Sequence, residues 1–276
     1  MPVIRALAHW TTGVMNSDFS DISAELESWY QRDRGQYLLE TVRAQLESIL
    51  DTSFGYHLLQ IGPMRAQSLF ETSRINHRIY CSDNAGGDVG LVASAEELPL
   101  ESDSVDTLIA MHCLDFSAHP HQALREMQRV VTPQGKLIII GFNPYSLLGA
   151  TARLRGLAGN KLWRNQEALS SHRLSDWLHL LGCQIESQHT LYNVPPIGGG
   201  RLKRWLTSAD QWSSRHAVPF GGVYVLHAIK QVAGTHRPDG HRFRRQRLIG
   251  LAVPKPTAVP APTPARPAAR HRDKSI

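Results

Sequence analysis

The stretch Leu91–Phe116, LVASAEELPLESDSVDTLIAMHCLDF, carries the pattern that decides the fold. Two apolar runs, Gly90–Ala93 and Val105–Met111, have the length of buried strands. A polar loop around Glu96 separates the two runs, and the second run ends at the polar residue His112. The stretch therefore predicts two strands of one sheet, each followed by groups that can hydrogen-bond.

The same alternation of strands and helices extends to both sides of this stretch. Further strands are predicted at Tyr56–Ile61, Arg78–Cys81, Lys136–Ile140, Gln184–Tyr192 and Tyr224–Lys230. Helices are predicted from about Gln36 in the N-terminal region and at Met64–Ser73, Pro120–Val130 and Ser171–Leu181. The expected fold is α/β, a doubly wound sheet of seven strands. Such a sheet binds ligands at the carboxyl ends of its strands.

Composition divides the 276 residues into three expected regions. Residues 1–52 are predicted to be a helical N-terminal extension, 53–232 the α/β domain, and 233–276 a disordered tail rich in Arg, Pro and Ala. The tail has ten basic and two acidic residues, net +8, which leaves 20 basic and 22 acidic residues for the rest. A nearly neutral body does not suggest a basic nucleic-acid-binding face, although nucleic acid could bind the tail.

Other features predict a cytoplasmic protein. No apolar run approaches the ~18 residues of a membrane span, and the N-terminus is a poor signal peptide. The three cysteines, Cys81, Cys113 and Cys183, have neither pairing nor metal-ligand spacing, so we expect reduced thiols and no metal. The sequence does not indicate an oligomeric state.

The motifs of the central stretch resemble those of a known enzyme family. The strings Ser94-Ala95-Glu96, Leu98-Pro99-Leu100 and Asp103-Ser104-Val105-Asp106 are similar to the middle of class I S-adenosylmethionine-dependent methyltransferases, closest to the small-molecule type 11 group. The resemblance covers about Ser53 to Val232. It implies a Rossmann-like fold, S-adenosyl-L-methionine as cofactor, and methyl transfer to oxygen, nitrogen or carbon of an unidentified small-molecule acceptor.

The first loop departs from the family pattern DxGxGxG. Its residues are Gln60-Ile61-Gly62-Pro63-Met64-Arg65-Ala66, so one glycine is kept while Met64 and Ala66 replace the other two. Gln60 stands in place of the acid and brings no charge toward the cofactor's ammonium. By resemblance, Gln60, Gly62 and Met64 are the cofactor residues of this loop.

The resemblance implies further cofactor residues after the next strands. Asp83 would accept hydrogen bonds from the ribose hydroxyls. Ser94, Ala95 and Glu96 form the adenine loop, where Ser94 stands in place of the usual acid. His112 lies beside the expected methyl group and could contact the cofactor or act as a general base, and the catalytic residue is otherwise unknown.

Several alternatives remain open. Met64 and Ala66 favour an inactive descendant of the family, and the arginines between Arg242 and Arg247 would suit an RNA-associated protein. A nicotinamide-dependent oxidoreductase is disfavoured because GxGxxG is absent. Asn143 and Tyr145, after the fifth strand, could contact an acceptor or form a turn. A helix from Arg201 could cover the pocket or pack on the body.

Overall fold

In the computed structural model, the described residues are 17–64, 68–87, 89–164, 166, 168–192 and 221–231. Within them the chain forms seven helices and seven strands. The helices are α1 (Ser17–Tyr30), α2 (Asp33–Asp51), α3 (Cys113–Phe116), α4 (Pro120–Val130), α5 (Leu147–Leu157), α6 (Lys161–Arg164) and α7 (Ser171–Leu180). The strands are β1 (His57–Ile61), β2 (His77–Ser82), β3 (Leu91–Val92), β4 (Val105–Met111), β5 (Val131–Phe142), β6 (Cys183–Leu191) and β7 (Val223–Lys230).

The strands form one sheet in the order β3-β2-β1-β4-β5-β7-β6. The first five strands in this order are parallel, and β7 runs antiparallel to both of its neighbours. Strand β1 lies between β2 and β4, so the order reverses there. This reversal opens the crevice in which doubly wound sheets bind ligands. The predicted α/β, Rossmann-like sheet of seven strands is confirmed.

Two apolar layers cover the faces of the sheet. One contains Leu58, Ile109 and Ile138 of the strands together with the buried faces of α1 and α2. The other contains Leu59, Leu108 and residues of α4 and α7. Alternate residues of a strand point to opposite faces, so each of these buried strands supplies both layers.

Helices α1 and α2 approach each other closely near their junction, where a glycine lies. A Cβ atom on Gly35 would lie only 2.4 Å from the backbone oxygen of Trp29. Helix α2 then buries Leu38, Val42 and Leu46, which lie four residues apart and so share one helix face. The two helices are thereby fixed against the sheet face that carries β1 and β4.

The sequence patterns predicted all seven strands and several of the helices, although the ends of some elements differ by a few residues. Strand β4 and helix α4 have the predicted bounds, whereas β5 begins five residues earlier than predicted. The helix predicted at 64–73 is wrong for 68–73, which are turn and coil, and 65–67 lie outside the described residues. Helices α3, α5 and α6 were not predicted, and α1 lies in the region expected to be helical, although no bounds were predicted for it. In α5 the reason is that leucines lie on the outward face and small residues on the inward face, which obscures the helical period.

The chain divides into two compact units, Met1–Thr235 and His236–Ile276. The second unit lies wholly outside the described residues, as does the helix predicted from Arg201. The predicted region boundaries at residues 52 and 232 and the disordered tail therefore stay predictions.

Candidate functional site

The polar residues predicted for the site lie along the carboxyl edge of four adjacent strands. Gly62 follows β1, Asp83 follows β2, Ser94 comes two residues after β3, and His112 follows β4. Neighbouring parallel strands place their carboxyl ends at the same edge, so the sheet order brings these residues to one rim. We call this edge, from β3 to β4, the carboxyl rim.

The first loop combines a close backbone approach with a buried amide. A Cβ on Gly62 would lie 2.8 Å from the backbone oxygen of Met111, so only glycine fits between β1 and β4. The Gln60 side chain is fully buried, and its oxygen accepts a hydrogen bond from the backbone N–H of Leu69 at 2.8 Å. Gln60 thus fixes the path of the chain after the loop.

Met64 is almost completely buried, with 1% of its surface exposed. It belongs to the apolar layer that includes Leu26 of α1 and Leu39 of α2. Its thioether therefore packs among helix side chains on one face of the sheet. Arg65 and Ala66, which complete the loop, lie outside the described residues.

Two buried hydroxyl groups beside this loop have no hydrogen-bond partner in the part of the chain that the structure describes. They are Tyr80 Oη and Ser82 Oγ, both at the end of β2. Tyr80 Oη lies 3.5 Å from the position that a Cβ on Gly62 would take. Burial, together with the nearby Glu27 carboxylate, raises the pKa of Tyr80, so its phenol stays neutral. Buried polar atoms normally have partners, so these two hydroxyls mark the rim as a place suited to a polar ligand.

Asp83 directly follows these hydroxyls. More than a third of the residue is exposed, yet its carboxyl group lies in crowded surroundings. Desolvation, and then repulsion by Glu96, raise the pKa of Asp83 to about 6. An exposed carboxylate at the end of a strand is suited to accept hydrogen bonds from neutral hydroxyl groups.

The loop after β3 is held in place by Glu96. Its Oε1 accepts from the Ser117 hydroxyl at 2.7 Å and from the His119 backbone N–H at 2.9 Å. Ser94 Oγ accepts from the Glu96 backbone N–H at 3.3 Å, and Ala95 is 8% exposed. Glu96 therefore ties the loop to the start of α4, and Ser94 remains exposed at the rim.

His112 lies at the centre of a buried hydrogen-bonded chain. Its Nδ1 donates to Asp115 Oδ2 at 2.9 Å, and the Tyr30 hydroxyl donates to its Nε2 at 2.6 Å. The ring stacks on Phe142 with centroids 4.0 Å apart. His112 has a φ of 56°, a left-handed conformation that turns its side chain into the rim. None of the His112 surface is exposed.

Asp115 holds the His112 ring in place through the hydrogen bond to Nδ1. Its Oδ2 also accepts from the Phe142 backbone N–H at 3.0 Å, whereas Oδ1 is buried with no partner among the described residues. Since a carboxylate only accepts, the bond to Asp115 places the imidazole proton on Nδ1 and leaves Nε2 as the acceptor. Burial, and then the Asp115 charge, raise the pKa of Tyr30, so its hydroxyl is the matching donor.

Helix α1 covers the carboxyl rim. Besides Tyr30, its Ser23 accepts a bond from the Asn84 amide at 3.4 Å, beside Asp83. Sequence reasoning missed Tyr30, Tyr80 and Ser82. No sequence signal joins Tyr30 to His112, 82 positions away, but the place of Ser82 directly before Asp83 at a strand end could have drawn attention to it.

The residues after β5 form a turn beside a separate cleft. Asn143 donates to the Gly221 oxygen at 2.9 Å and accepts from the Tyr145 backbone N–H at 3.1 Å. Tyr145 is 72% exposed. Both residues line a cleft of about 510 Å³ together with Ser170, His172, Arg173 and Asp176 of the α7 region.

Comparison with known proteins agrees with this geometry. Residues 69–139 match the type 11 family model described as a methyltransferase domain. An uncharacterized protein, YafS, from Escherichia coli K12 is 31% identical over 133 residues, which are 48% of this chain. The match spans about half, 55%, of the length of that curated relative.

Solved structures share the fold. A SAM-dependent methyltransferase from Thermotoga maritima superposes with a TM-score of 0.56 at 18% sequence identity. The match covers 78% of this chain and 99% of the Thermotoga chain. The methyltransferase complexed with the Trm112 activator from Haloferax volcanii has a TM-score of 0.55 at 15% identity, covering 78% of this chain and 98% of that one. The resemblance to class I methyltransferases of the type 11 group is thus confirmed, and the chain has the class I methyltransferase fold.

Two further observations bear on the predicted cellular location. Among the described residues, no helix combines the length and apolar character that crossing a bilayer requires. Cys81, Cys113 and Cys183 are free and buried. A cytoplasmic location stays a prediction.

Proposed function

We propose that this protein is an S-adenosyl-L-methionine-dependent methyltransferase whose cofactor binds at the carboxyl rim. The observation that carries the proposal is the pair of unpartnered buried hydroxyls, Tyr80 Oη and Ser82 Oγ, beside Gly62. A polar ligand at the rim would supply the hydrogen bonds that these hydroxyls lack within the described chain. The matched methyltransferase domain and the shared fold support S-adenosyl-L-methionine as that ligand.

The rim residues fit the nucleoside half of the cofactor better than its methionine half. Asp83 would accept bonds from the ribose hydroxyls, and Ser94 and Ala95 would border the adenine. Gly62 would let the ligand approach the backbone. Gln60, in contrast, is neutral and its oxygen is bonded to Leu69, so it would add little attraction for the ammonium group.

When bound, the cofactor supplies an activated methyl carbon that a nucleophile attacks in line. We propose that His112 accepts the proton of the attacking group at Nε2, with Asp115 holding the required tautomer. The acceptor would then be a small molecule with a hydroxyl or protonated amine group. Tyr30 occupies Nε2 in this structure, so its hydroxyl would have to move aside first.

A ligand series tests the proposal without knowledge of the acceptor. Thermal unfolding would be measured with S-adenosylhomocysteine, with adenosine and with methionine, each at millimolar concentration. We expect stabilisation by S-adenosylhomocysteine, weaker stabilisation by adenosine and none by methionine, because binding to the native state raises the unfolding temperature. Stabilisation by methionine but not by adenosine would contradict the assignment of the rim.

The buried Met64 and the bonded Gln60 favour a second candidate, a non-catalytic descendant of the family. In that case none of the three ligands would raise the unfolding temperature. An RNA-associated role rests on the arginine-rich tail, which lies outside the described residues, and stays a prediction. Retention on RNA by the full chain, but not by a chain ending at Gly234, would support it.

A further inference from the structure

Helix α5 presents a row of leucines to solvent. Leu147, Leu154 and Leu157 are 70%, 65% and 86% exposed. They lie seven and three residues apart, so they share one side of a helix with about 3.6 residues per turn. Single exposed leucines are ordinary, but three on one helix face form an apolar patch, which we call the leucine stripe.

The inward face of α5 fixes this orientation. Its buried residues are Gly149, Ala152 and Gly156, which are all small. A Cβ on Gly149 would lie 2.5 Å from the Asn143 oxygen, and one on Gly156 would lie 2.9 Å from the Trp163 oxygen. The backbone is therefore too close to its neighbours for leucines to turn inward. The stripe is a consequence of packing and remains on the outside.

Positive charge lies on both sides of the leucine stripe. Arg153 and Arg155 precede and follow Leu154, so each projects about 100° around the helix from it. Both arginines are exposed, and so is Arg164 of α6. The sequence contains no Asp or Glu from Met127 to Gln166. Any anionic surface could therefore approach α5 without repulsion from its own segment.

We propose that α5 docks the protein on an anionic lipid surface. The leucine stripe would enter the boundary between headgroups and acyl chains, and the flanking arginines would bind lipid phosphates. The exposed Tyr145, two residues before Leu147, adds an aromatic side chain of the kind that settles at such boundaries. A convex row of aliphatic side chains suits a bilayer better than a protein partner, where aromatic anchors fill shaped pockets. This inference does not depend on methyl transfer.

Vesicle co-sedimentation of the full chain tests the proposal. Vesicles of phosphatidylcholine alone would be compared with vesicles that also contain phosphatidylglycerol. We expect binding only to the anionic vesicles, weakened at least about 30-fold by the double variant Leu154→Gln/Leu157→Gln. The matched control is Leu180→Gln, because Leu180 is an equally exposed leucine, 85% exposed, on a different helix, α7.

Charge variants provide a second measurement. Arg153→Gln and Arg155→Gln should each weaken binding about fivefold at low salt. Arg125→Gln, an exposed arginine on α4, should leave it unchanged. Circular dichroism would check that each variant is folded. Substitutions at exposed positions away from helix caps rarely change stability.

A fluorescent probe shows whether the stripe itself meets the lipid. The three native thiols are buried, so a fluorophore on Leu157→Cys would label one site selectively. Its emission should rise and shift to the blue with anionic vesicles, while the same label on Leu180→Cys should not respond.

Three outcomes would overturn the proposal. The first is no binding to anionic vesicles. The second is binding that the leucine and arginine variants leave unchanged, which would assign it to the arginine-rich tail. The third is a lipid-free dimer, seen by analytical ultracentrifugation, that Leu154→Gln/Leu157→Gln converts to monomer. The stripe would then be a contact between copies of this chain.

Discussion

The two ends of the carboxyl rim differ in how their buried polar groups are satisfied. At the end of β2, the hydroxyls of Tyr80 and Ser82 have no partners among the described residues. At the end of β4, both ring nitrogens of His112 are bonded, one to Asp115 and one to Tyr30. An unpaired buried group costs free energy that a ligand can recover, whereas a paired group gains nothing from one. The β2 end thus has hydroxyl groups that a ligand could bond. The β4 end is closed in the sense that the protein bonds both ring nitrogens of His112, although Asp115 Oδ1 has no partner among the described residues.

This difference separates two steps of the proposed reaction. A cofactor could bond to Tyr80, Ser82 and Asp83 without breaking a described hydrogen bond of Tyr80 or Ser82. An acceptor, however, must displace Tyr30 from His112 before a proton can be transferred. We therefore expect substitutions at the two ends to affect different measurements, and the prediction with the largest expected effect comes first.

Asp115→Ala should have the largest effect on stability. It leaves the buried N–H groups of His112 and Phe142 without an acceptor, at a cost of about 3–5 kcal/mol. Urea unfolding measures the change. Asp115→Asn keeps one acceptor oxygen and should cost less. A loss below about 1 kcal/mol for Asp115→Ala would show that the β4 end is not closed by this carboxylate.

Asp83→Asn should act mainly on the ligand. Loss of a charged acceptor for the ribose hydroxyls should weaken S-adenosylhomocysteine binding about 100-fold. Asp51→Asn is the control, since Asp51 is exposed and ends α2, before the amino end of β1, whereas the rim lies at the carboxyl end. Equal affinities for Asp83→Asn and the unmodified protein would remove Asp83 from the site.

The same variant should become slightly more stable at pH 8. The pKa of Asp83 is raised from 3.8 to about 6 in the folded protein, so folding binds a proton between these values and loses stability as the pH rises. The substitution to Asn removes the ionised carboxylate and therefore that loss of stability. Because the residue is partly exposed, the gain should stay below about 1 kcal/mol. Urea unfolding at pH 8 that shows destabilisation would contradict the raised pKa.

His227 should make the fold sensitive to acid. Burial, and then the Lys136 charge, lower the pKa of His227 from 6.5 to about 4. The unfolded chain therefore binds the extra proton between pH 6.5 and 4, and stability falls as the pH falls. We expect a loss of about 2 kcal/mol from pH 7.5 to pH 5. His227→Gln should reduce that pH dependence in urea unfolding, and an unchanged slope would contradict the assignment to His227.

Tyr30→Phe should cost about 1–2 kcal/mol of stability, because it removes one buried hydrogen bond. Its specific consequence is looser docking of α1 on the rim, which hydrogen exchange in Ser17–Tyr30 would detect. Ser23→Ala, which removes the longer 3.4 Å bond to Asn84, is the matched control. If both variants exchange alike, the Tyr30 bond does not hold the β4 end closed.

The fold could be predicted from the sequence further than the site. The run Val105–Met111 ends in four consecutive apolar residues, Leu108–Met111, which predicts a strand buried on both faces, and the structure has that strand. The same reasoning missed α5, because its leucines face outward and its buried face is made of small residues, the reverse of a helix that packs a leucine face on the core. A strand pattern predicts which residues are buried. In α5 the large apolar residues are exposed, so the same rule does not find the helix.

The candidate site depended on contacts between distant parts of the chain. Gly62 and Asp83 could be located from strand ends alone. The Tyr30 hydroxyl on His112 could not, because it depends on how α1 crosses the rim. Gln60 illustrates the same limit, since a sequence shows a missing charge but not that the amide bonds to Leu69.

Calorimetric titration of the full chain with S-adenosylhomocysteine tests the central claim most directly. If the β2 end of the rim receives an adenosyl group, one equivalent should bind with a dissociation constant in the micromolar range. No heat with millimolar ligand would contradict this account of Tyr80, Ser82 and Asp83, and the chain would then share only its fold with the methyltransferases.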